Sequence, residues 1–508
     1  MPLAELAAGR GLLTGHDDVA VTGITASSSQ VHPGDLFAAL PGRTAHGAVY
    51  AADAVAAGAV AVLTDAAGSA QVPPGVPTVV VDDVRAVLGD VSAQVYARPT
   101  RGLRMLGVTG TSGKTTTTFL VRAGLAAAGR ASGLIGTVAT MIGEDEVRTG
   151  FTTPEAPDVQ ALLAVMAERG VTDVAMEVSS HALRMGRVDG IGFDVAAFTN
   201  LSEDHLDFHT DMADYFAAKA SLFDARTNRP LVVIDDEWGR RLAAMVAGAA
   251  TIGTGDDRGR CGATWHAHDV TERPDGTTTF RVTGPTGEFA TSCAIPGRYN
   301  VANVVLALAI LHEDGVPLDV AAPAVAAASV PGRMERVDAG QPFLAVVDYS
   351  HKPAAVDGAL RALRPLTAGR LIIVLGCGGD RDTGKRPHMG EIAARGADLL
   401  VVTDDNPRSE DPALIRRAML AGALAVPEPE RGQVVEVGDR AEAIAHAVGA
   451  ATPGDTVLVA GKGHETGQEV AGVIHPFDDR SVLRSELSAL RHSGTPGSAD
   501  NSDGGAPR

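Results

Sequence analysis

Apolar and polar positions along the 508-residue chain fall into a repeating order: a short apolar run, a polar loop, then a longer stretch of helical periodicity. From residue 101 to about 330 the runs LRMLGVTG, DVAMEVSS, DVAAFTNL and RPLVVIDD are rich in Val, Ala and Ile, with no alternation between faces. A strand needs that continuous apolar character when helices cover both sides of its sheet, so the runs predict buried parallel strands. From 331 to about 490 the style repeats in FLAVVDYSH, RLIIVLGCGGD, ADLLVVTDDNPR and DTVLVAGKGHE. The first 100 residues are a smaller unit, in which the turn-rich VHPGDLFAALPG feeds a strand, AVYAADAVAAGA reads as helix and AVAVLTD as another strand. The pattern predicts an α/β protein of three domains, 1–100, 101–331 and 332–490, followed by a disordered Gly/Ser/Asp-rich tail over 491–508. Ligands of open parallel sheets bind beyond the carboxyl ends of the strands, and nearly every motif below stands at such an end.

Charge narrows the partners. With 43 basic against 62 acidic residues the formal net charge is −19, which argues against a broad nucleic-acid or anionic-membrane surface. No apolar stretch reaches the length of a membrane span, and MPLAELAAGRGLL lacks the basic start and apolar core of a signal peptide. Cys261, Cys293 and Cys377 form no CxxC or metal spacing. That fits a reducing cytoplasm.

Lysine usage is uneven. Only Lys114, Lys219, Lys352, Lys385 and Lys462 are lysines, and every other basic residue is Arg. A chain that uses Arg for plain cations predicts that its lysines act as compact ammonium groups or titratable amines. Lys219 stands in YFAAKASLF among apolar, aromatic and small residues. It is either a snorkelling cation on a surface helix or an amine held at low polarity by Tyr215, Phe216, Ala217, Ala218, Leu222 and Phe223.

The segment Gly107-Val-Thr-Gly-Thr-Ser-Gly-Lys114-Thr-Thr follows one predicted strand and opens a helix. Backbone N–H groups of Gly110, Thr111, Ser112 and Gly113 can close around phosphate oxygens, Lys114 reaches the outer phosphates, and Thr115 and Thr116 begin the helix, Thr115 with a hydroxyl suited to Mg²⁺. Val108 breaks the strict GxxxxGK[ST] form and leaves GxxGKT. Amide ligases that use ATP carry this variant.

From here the chain resembles the Mur ligase family over about residues 20 to 490, in its diaminopimelate-adding branch. PGDLFAAL, GTSGKTT, TTPE, EVSSHAL, FTNLSEDHLDFH, YFAAKASLF, PGRYNVAN, PGRMERV, VDYSHKP, GCGGDRDTGKRP, DDNPR and GKGHE occur in family order. The resemblance implies a uridine-nucleotide-binding first domain, a central P-loop ATPase domain and a Rossmann-like third domain that carries the incoming amino acid. It implies a reaction in which ATP phosphorylates the D-glutamate γ-carboxylate of UDP-N-acetylmuramoyl-L-alanyl-D-glutamate and the amine of meso-diaminopimelate attacks the acyl phosphate. A cytoplasmic monomer is expected.

The same resemblance assigns residues. Lys114, Glu177, His205 and Lys219 are implied as catalytic, with Thr115, Glu177, His205 and Lys219 as Mg²⁺ ligands, the lysine as a carbamate formed with CO₂. LSEDHLDFH reads as two turns of possible helix carrying His205, beside Asp204, Asp207 and His209. Asn300, Arg333, Asp348 and His351 match adenine-nucleotide contacts. Ser28, Thr44, Thr152, Thr153, Ser179 and Arg187 match contacts to the muramoyl dipeptide. Ser27-Ser28-Ser29 replaces the DSR of many relatives, and Met185 stands where Gln is frequent. For diaminopimelate the match gives Arg381, Asp405, Asn406, Pro407, Arg408, Gly461 and Glu465. Arg408 offers a planar fork for the carboxylate that lysine lacks. Lysine-adding and folylpolyglutamate ligases, and a nucleotide-binding scaffold without activity, are the rival readings.

Overall fold

In the computed structural model, residues 1–493 are described, apart from 17, 43, 148, 225 and 256–261. Cys261 and, of the tail expected over 491–508, residues 494–508 lie outside the described residues. The chain divides into two compact units: residues 1–270, 280–291 and 299–328, and residues 271–279, 292–298 and those from 329 onward.

The first unit carries two sheets. The smaller runs in the order Leu12–Thr14, Thr78–Val80, Ala61–Thr64, Asp35–Ala38, Gly23–Thr25, parallel except at Leu12–Thr14. The larger has a parallel run in the order Pro230–Val233, Val195–Phe198, Arg104–Thr109, Asp173–Glu177, Ser132–Ile135. Beyond Ser132–Ile135 it turns antiparallel through Thr140–Ile142 and Asp145–Val147. Met105 to Thr109 are all buried, which is the burial the unalternating sequence required. The motifs leave carboxyl ends: GTSGKT after Thr109, SSHAL after Glu177 and TNLSEDH after Phe198.

Gly113 takes a left-handed φ of 87° and caps the helix Lys114–Ala127. That helix packs against Tyr299–Glu313, which is buried on nearly every side and correspondingly apolar. A Cβ on Gly124 would stand 2.3 Å from Leu311 Cδ1, so this glycine permits the close approach. At the amino ends of the strands Arg130 reaches Asp173 (3.0 Å) and the buried Asp314 (2.6 Å). Burial, then the neighbouring Asp173, pushes the Asp314 carboxyl up to about 6.

The second unit is built on one sheet ordered Glu335–Arg336, Leu344–Asp348, Thr456–Ala460, Leu371–Leu375, Leu399–Val402, Gln433–Glu436, parallel except at Glu335–Arg336. A hairpin, Gly467–Val470 with Val473–Pro476, stands apart from it. Arg440 is buried at the start of the helix Arg440–Ala450. Its Nε and Nη2 each donate to Asp479 at 2.7 Å, and Nη2 also donates to Ala460 O at 2.9 Å. Asp479→Ala leaves that guanidinium charged, buried and without its anion, and is expected to lower stability by about 3–5 kcal/mol. The readout is the urea midpoint of the second unit; an unshifted midpoint would show that the pair is replaceable.

Strand expectations and structure agree for all eight quoted runs of the two larger regions. Three details differ. Residues 201–210 form turns and bends, not helix, because His205 adopts φ +55° and breaks the path. Ala217 faces solvent on the helix Met212–Ala220, a period away from the buried Tyr215, Phe216, Ala218 and Lys219. The helix Asp479–Ser493 continues past 490 into the segment expected as tail. Among the described residues no helix is long and apolar enough to cross a membrane.

Candidate functional site

The phosphate loop is fixed by the segment that follows the Val195–Phe198 strand. Thr199 Oγ1 donates to Ser112 O (2.6 Å), Asn200 exchanges bonds with Ser112 N (3.0 Å) and O (3.1 Å), and Thr111 N donates to Asn200 O (2.9 Å). Gly110, at φ 147°, passes so close that an added Cβ would stand 1.8 Å from Thr199 Oγ1. Only glycine fits there. Thr115 and Thr116 are buried in the first turn of the helix.

Two lysines converge on this loop. Lys114 Nζ donates to Gly110 O (2.9 Å) and Thr111 O (3.0 Å). Lys219 Nζ donates to the same Gly110 O at 2.6 Å and stands 4.6 Å from the Tyr215 ring centre. Lys219 is only 1% exposed, which excludes a snorkelling surface cation. Burial, followed by the Lys114 ammonium, pushes its amine well below the ordinary lysine range, with Asp204 opposing. The Tyr215 hydroxyl lies 3.2 Å from Thr111 Oγ1 and ties the Lys219 helix to the loop.

Glu177 is buried at the end of its strand. Its carboxylate accepts from Thr115 Oγ1 (3.0 Å), Thr137 N (2.8 Å) and Thr137 Oγ1 (3.1 Å); the carboxylate and the Thr115 hydroxyl are oxygen ligands of the hard kind that Mg²⁺ prefers. Among the described residues no group of three or more His, Cys, Asp or Glu side chains is arranged to hold a metal. Lys219 enters such a set only if its nitrogen becomes a carboxylated one. His205 Nε2 lies 3.4 Å from Asp204 Oδ2, with its ring edge-on to His181 at 4.8 Å. Asp207 is exposed. His209 is buried with both ring nitrogens engaged, Nε2 at 3.0 Å from Ser180 Oγ and Nδ1 at 3.2 Å from Asp214 Oδ2. It joins the helices that carry Ser180 and Lys219.

Thr153 spends its hydroxyl proton on Glu177 O (2.9 Å), so as placed it positions the strand end and does not donate outward. Thr152 Oγ1 stands 3.0 Å from Thr137 Oγ1. Ser179 caps its short helix through Ala182 N (3.1 Å). Arg187 donates to Thr153 O (3.0 Å), pairs with Glu155 (2.7 Å) and lies 4.8 Å over the Phe151 ring. Thr152, Thr153, Ser179 and Arg187 therefore form one connected patch. Ser28, half-buried in a 3-10 turn, and the exposed Thr44 belong to the small sheet's region. Asn300 is buried and accepts from Asn303 Nδ2 at 2.8 Å.

In the second unit Asp348 ends its strand and accepts from Met334 N (2.8 Å) and Ser350 N (2.9 Å). Arg333 stacks 4.5 Å over the Tyr349 ring. His351 Nδ1 lies 2.7 Å from Tyr349 O, and burial holds its imidazole below the ordinary histidine value. Asn406 joins the DNPR and GKGHE motifs: its Nδ2 donates to Glu465 Oε2 (2.9 Å) while Oδ1 accepts from Lys462 Nζ (2.9 Å). The fully buried Lys462 also pairs with Glu465 (3.3 Å) and Asp405 (3.6 Å). Asp405 lies beside Gly461, where a Cβ would be 2.8 Å from Oδ2. Pro407 is buried and Arg408, at φ +53°, donates through Nη1 to Gly379 O at 2.7 Å. Arg381 is exposed.

Three family models match in chain order: Mur ligase family, catalytic domain, over residues 20–96; Mur ligase middle domain over 108–311; and Mur ligase, glutamate ligase domain, over 332–463. The UDP-N-acetylmuramoyl-L-alanyl-D-glutamate–2,6-diaminopimelate ligase of Streptomyces avermitilis is 54% identical over 490 residues, covering 96% of each chain. This chain belongs to the Mur ligase family. The protein of the same name in Corynebacterium glutamicum is 50% identical, covering 93% of each chain. A solved structure of a ligase so named is 30% identical with a TM-score of 0.72, covering 97% of this Mur ligase and 99% of its own chain.

Some residues that shape the site in this Mur ligase escaped the sequence reading. Thr137 orients Glu177, Asn200 clamps the phosphate loop and Lys462 joins Asp405, Asn406 and Glu465. For Lys462 a signal existed: it is one of five lysines in an arginine-dominated chain and stands inside GKGHE. Thr137 and Asn200 are ordinary residue types whose partners lie 40 and 88 positions away, and nothing local announces them.

Proposed function

We propose that this Mur ligase is an ATP-dependent amide ligase that adds meso-diaminopimelate to the D-glutamate γ-carboxylate of UDP-N-acetylmuramoyl-L-alanyl-D-glutamate, in peptidoglycan precursor synthesis. The observation that carries the reading is the presence of both a phosphate loop whose base holds a buried lysine and a DNPR segment wired to GKGHE, in a chain alike over 96% of its length to a protein bearing that activity's name. Three domains divide the labour: 1–100 for the uridine nucleotide, 101–331 for ATP and 332–490 for the amino acid. The protein works in the cytoplasm as a monomer.

In the first half-reaction the substrate γ-carboxylate oxygen attacks the γ-phosphorus of ATP, and ADP leaves. The loop Gly110 to Gly113 and the Lys114 ammonium hold the phosphates, the Thr111 and Ser112 N–H groups having first to leave Asn200; Thr152, Ser179 and Arg187 orient the muramoyl dipeptide, Thr153 fixing the strand end beneath them, with Ser28 and Thr44 on its nucleotide. Asn300, Arg333, Asp348 and His351 hold the adenine nucleotide. Thr115, Glu177, His205 and Lys219 as its carbamate would hold Mg²⁺, which when bound offsets the repulsion between triphosphate and carboxylate. Capture of CO₂ requires a neutral amine, and the apolar side chains around Lys219 favour that form. In the second half-reaction the diaminopimelate amine attacks the acyl carbon, phosphate leaves, and a proton is lost from nitrogen. Arg381 and Arg408 face the extra carboxylate, Glu465 and Asp405 the ammonium, with Asn406, Pro407 and Gly461 shaping the pocket.

Phosphate release measured with ATP, Mg²⁺ and the UDP-muramoyl dipeptide, comparing meso-diaminopimelate with L-lysine, tests this. Turnover is expected with diaminopimelate. Turnover with lysine alone would sink the specificity, and none with either would favour a nucleotide-binding scaffold.

A further inference from the structure

Arg408 carries a second anion that the proposed reaction does not use. Glu469 Oε2 stands 3.3 Å from Arg408 Nε, in a pair about a quarter exposed on the arginine side and 38% on the glutamate side. The pairing is built by the backbone. Glu469 N donates to Asn406 Oδ1 at 3.0 Å, Arg408 N donates to Glu469 O at 2.9 Å, and Ala471 N donates to Arg408 O at 2.7 Å. Gln468 Nε2 completes the seam on Asp405 O at 2.8 Å. The hairpin strand Gly467–Val470 thus runs along the DNPR segment and delivers one carboxylate to its guanidinium.

A guanidinium recognises a carboxylate best through two parallel N–H bonds. One arm of Arg408 is committed to Gly379 O, and Glu469 occupies the Nε side. A ligand carboxylate that takes the fork meets Glu469 at the same edge, and two carboxylates there repel. We infer that Glu469 is the resting counter-ion of Arg408 and a specificity-determining residue: the second carboxylate of the amino-acid substrate must displace it, so it sets the apparent affinity for diaminopimelate. This rests on the proposed diaminopimelate specificity.

The contact is partly solvated, so the effect is modest. Glu469→Gln keeps the side-chain shape and removes the charge, and is expected to lower KM for meso-diaminopimelate about three- to fivefold with kcat unchanged. In an Arg408→Ala background the same substitution should leave KM where Arg408→Ala put it. A hairpin that merely supports the pocket would give a raised or unchanged KM, because removing its ion pair can only loosen it. A raised KM would also result if Glu469 held the substrate ammonium, and it would overturn the inference, as would equal effects in both backgrounds. Wild-type protein active on diaminopimelate whose KM does not fall on Glu469→Gln removes this inference alone. Wild-type protein that uses only L-lysine removes the proposed specificity and the inference together.

Discussion

Lys219→Ala is expected to reduce kcat by at least about 10²–10³-fold, the cost of deleting one fixed electrostatic group at a reacting phosphoryl, with Lys219→Arg no better. The arginine variant separates the two uses of the residue. A plain cation donating to Gly110 O would be restored by a guanidinium, whereas a carbamate would not, since Arg stays protonated and does not add to CO₂. Formate, acetate or propionate supplied to the alanine variant should restore part of the activity by placing a free carboxylate in the vacated space. Isotope-labelled bicarbonate should give a carbamate carbon signal in the wild type that is missing from both variants. Full activity of Lys219→Ala would remove the residue from the chemistry. Circular dichroism of the variants guards against loss of fold, because the side chain lies among buried residues.

Arg408→Lys is the second large effect. The substitution keeps the charge and the backbone's left-handed φ of 53°, yet replaces a planar fork by a point charge and gives up the geometry of the bond to Gly379 O. Hydrogen bonds to a charged group are worth about 1.5–3 kcal/mol, so kcat/KM for meso-diaminopimelate should fall by about ten- to a hundredfold. L-Lysine has no second carboxylate to miss, and its poor turnover should change little. The ratio of the two specificity constants is the measurement. An unchanged ratio would place recognition of the extra carboxylate elsewhere, with Arg381 the next guanidinium to substitute.

Much of this was legible because the chemistry stands where the strands end. Unalternating apolar runs gave away the parallel sheets, and GTSGKT, EVSS, DDNPR and GKGHE each follow such a run directly. The scarcity of lysine singled out Lys219, and its burial excludes the surface-cation reading. What stayed hidden depends on pairs remote in sequence. His209 reaches Ser180 across 29 positions, and Arg440 finds Asp479 across 39. Ala217 faces solvent, and a run of small residues does not show which of them the helix turns outward. The path at His205 could not be foreseen, since a left-handed non-glycine residue obeys its surroundings and not its own preference.

Gly110 O serves two amines at once, and this ties together two events that chemistry would otherwise keep separate. Whatever draws the Lys114 charge away from that oxygen also relieves Lys219 of a repulsive neighbour, and the proposed conversion of Lys219 to an anion would in turn strengthen the hold on Lys114. If Lys219 is carboxylated as proposed, nucleotide occupancy and carbon dioxide uptake are reciprocal, each shifting the other's midpoint by the same factor. A titration of either one, run with and without the other, reads a single coupling constant.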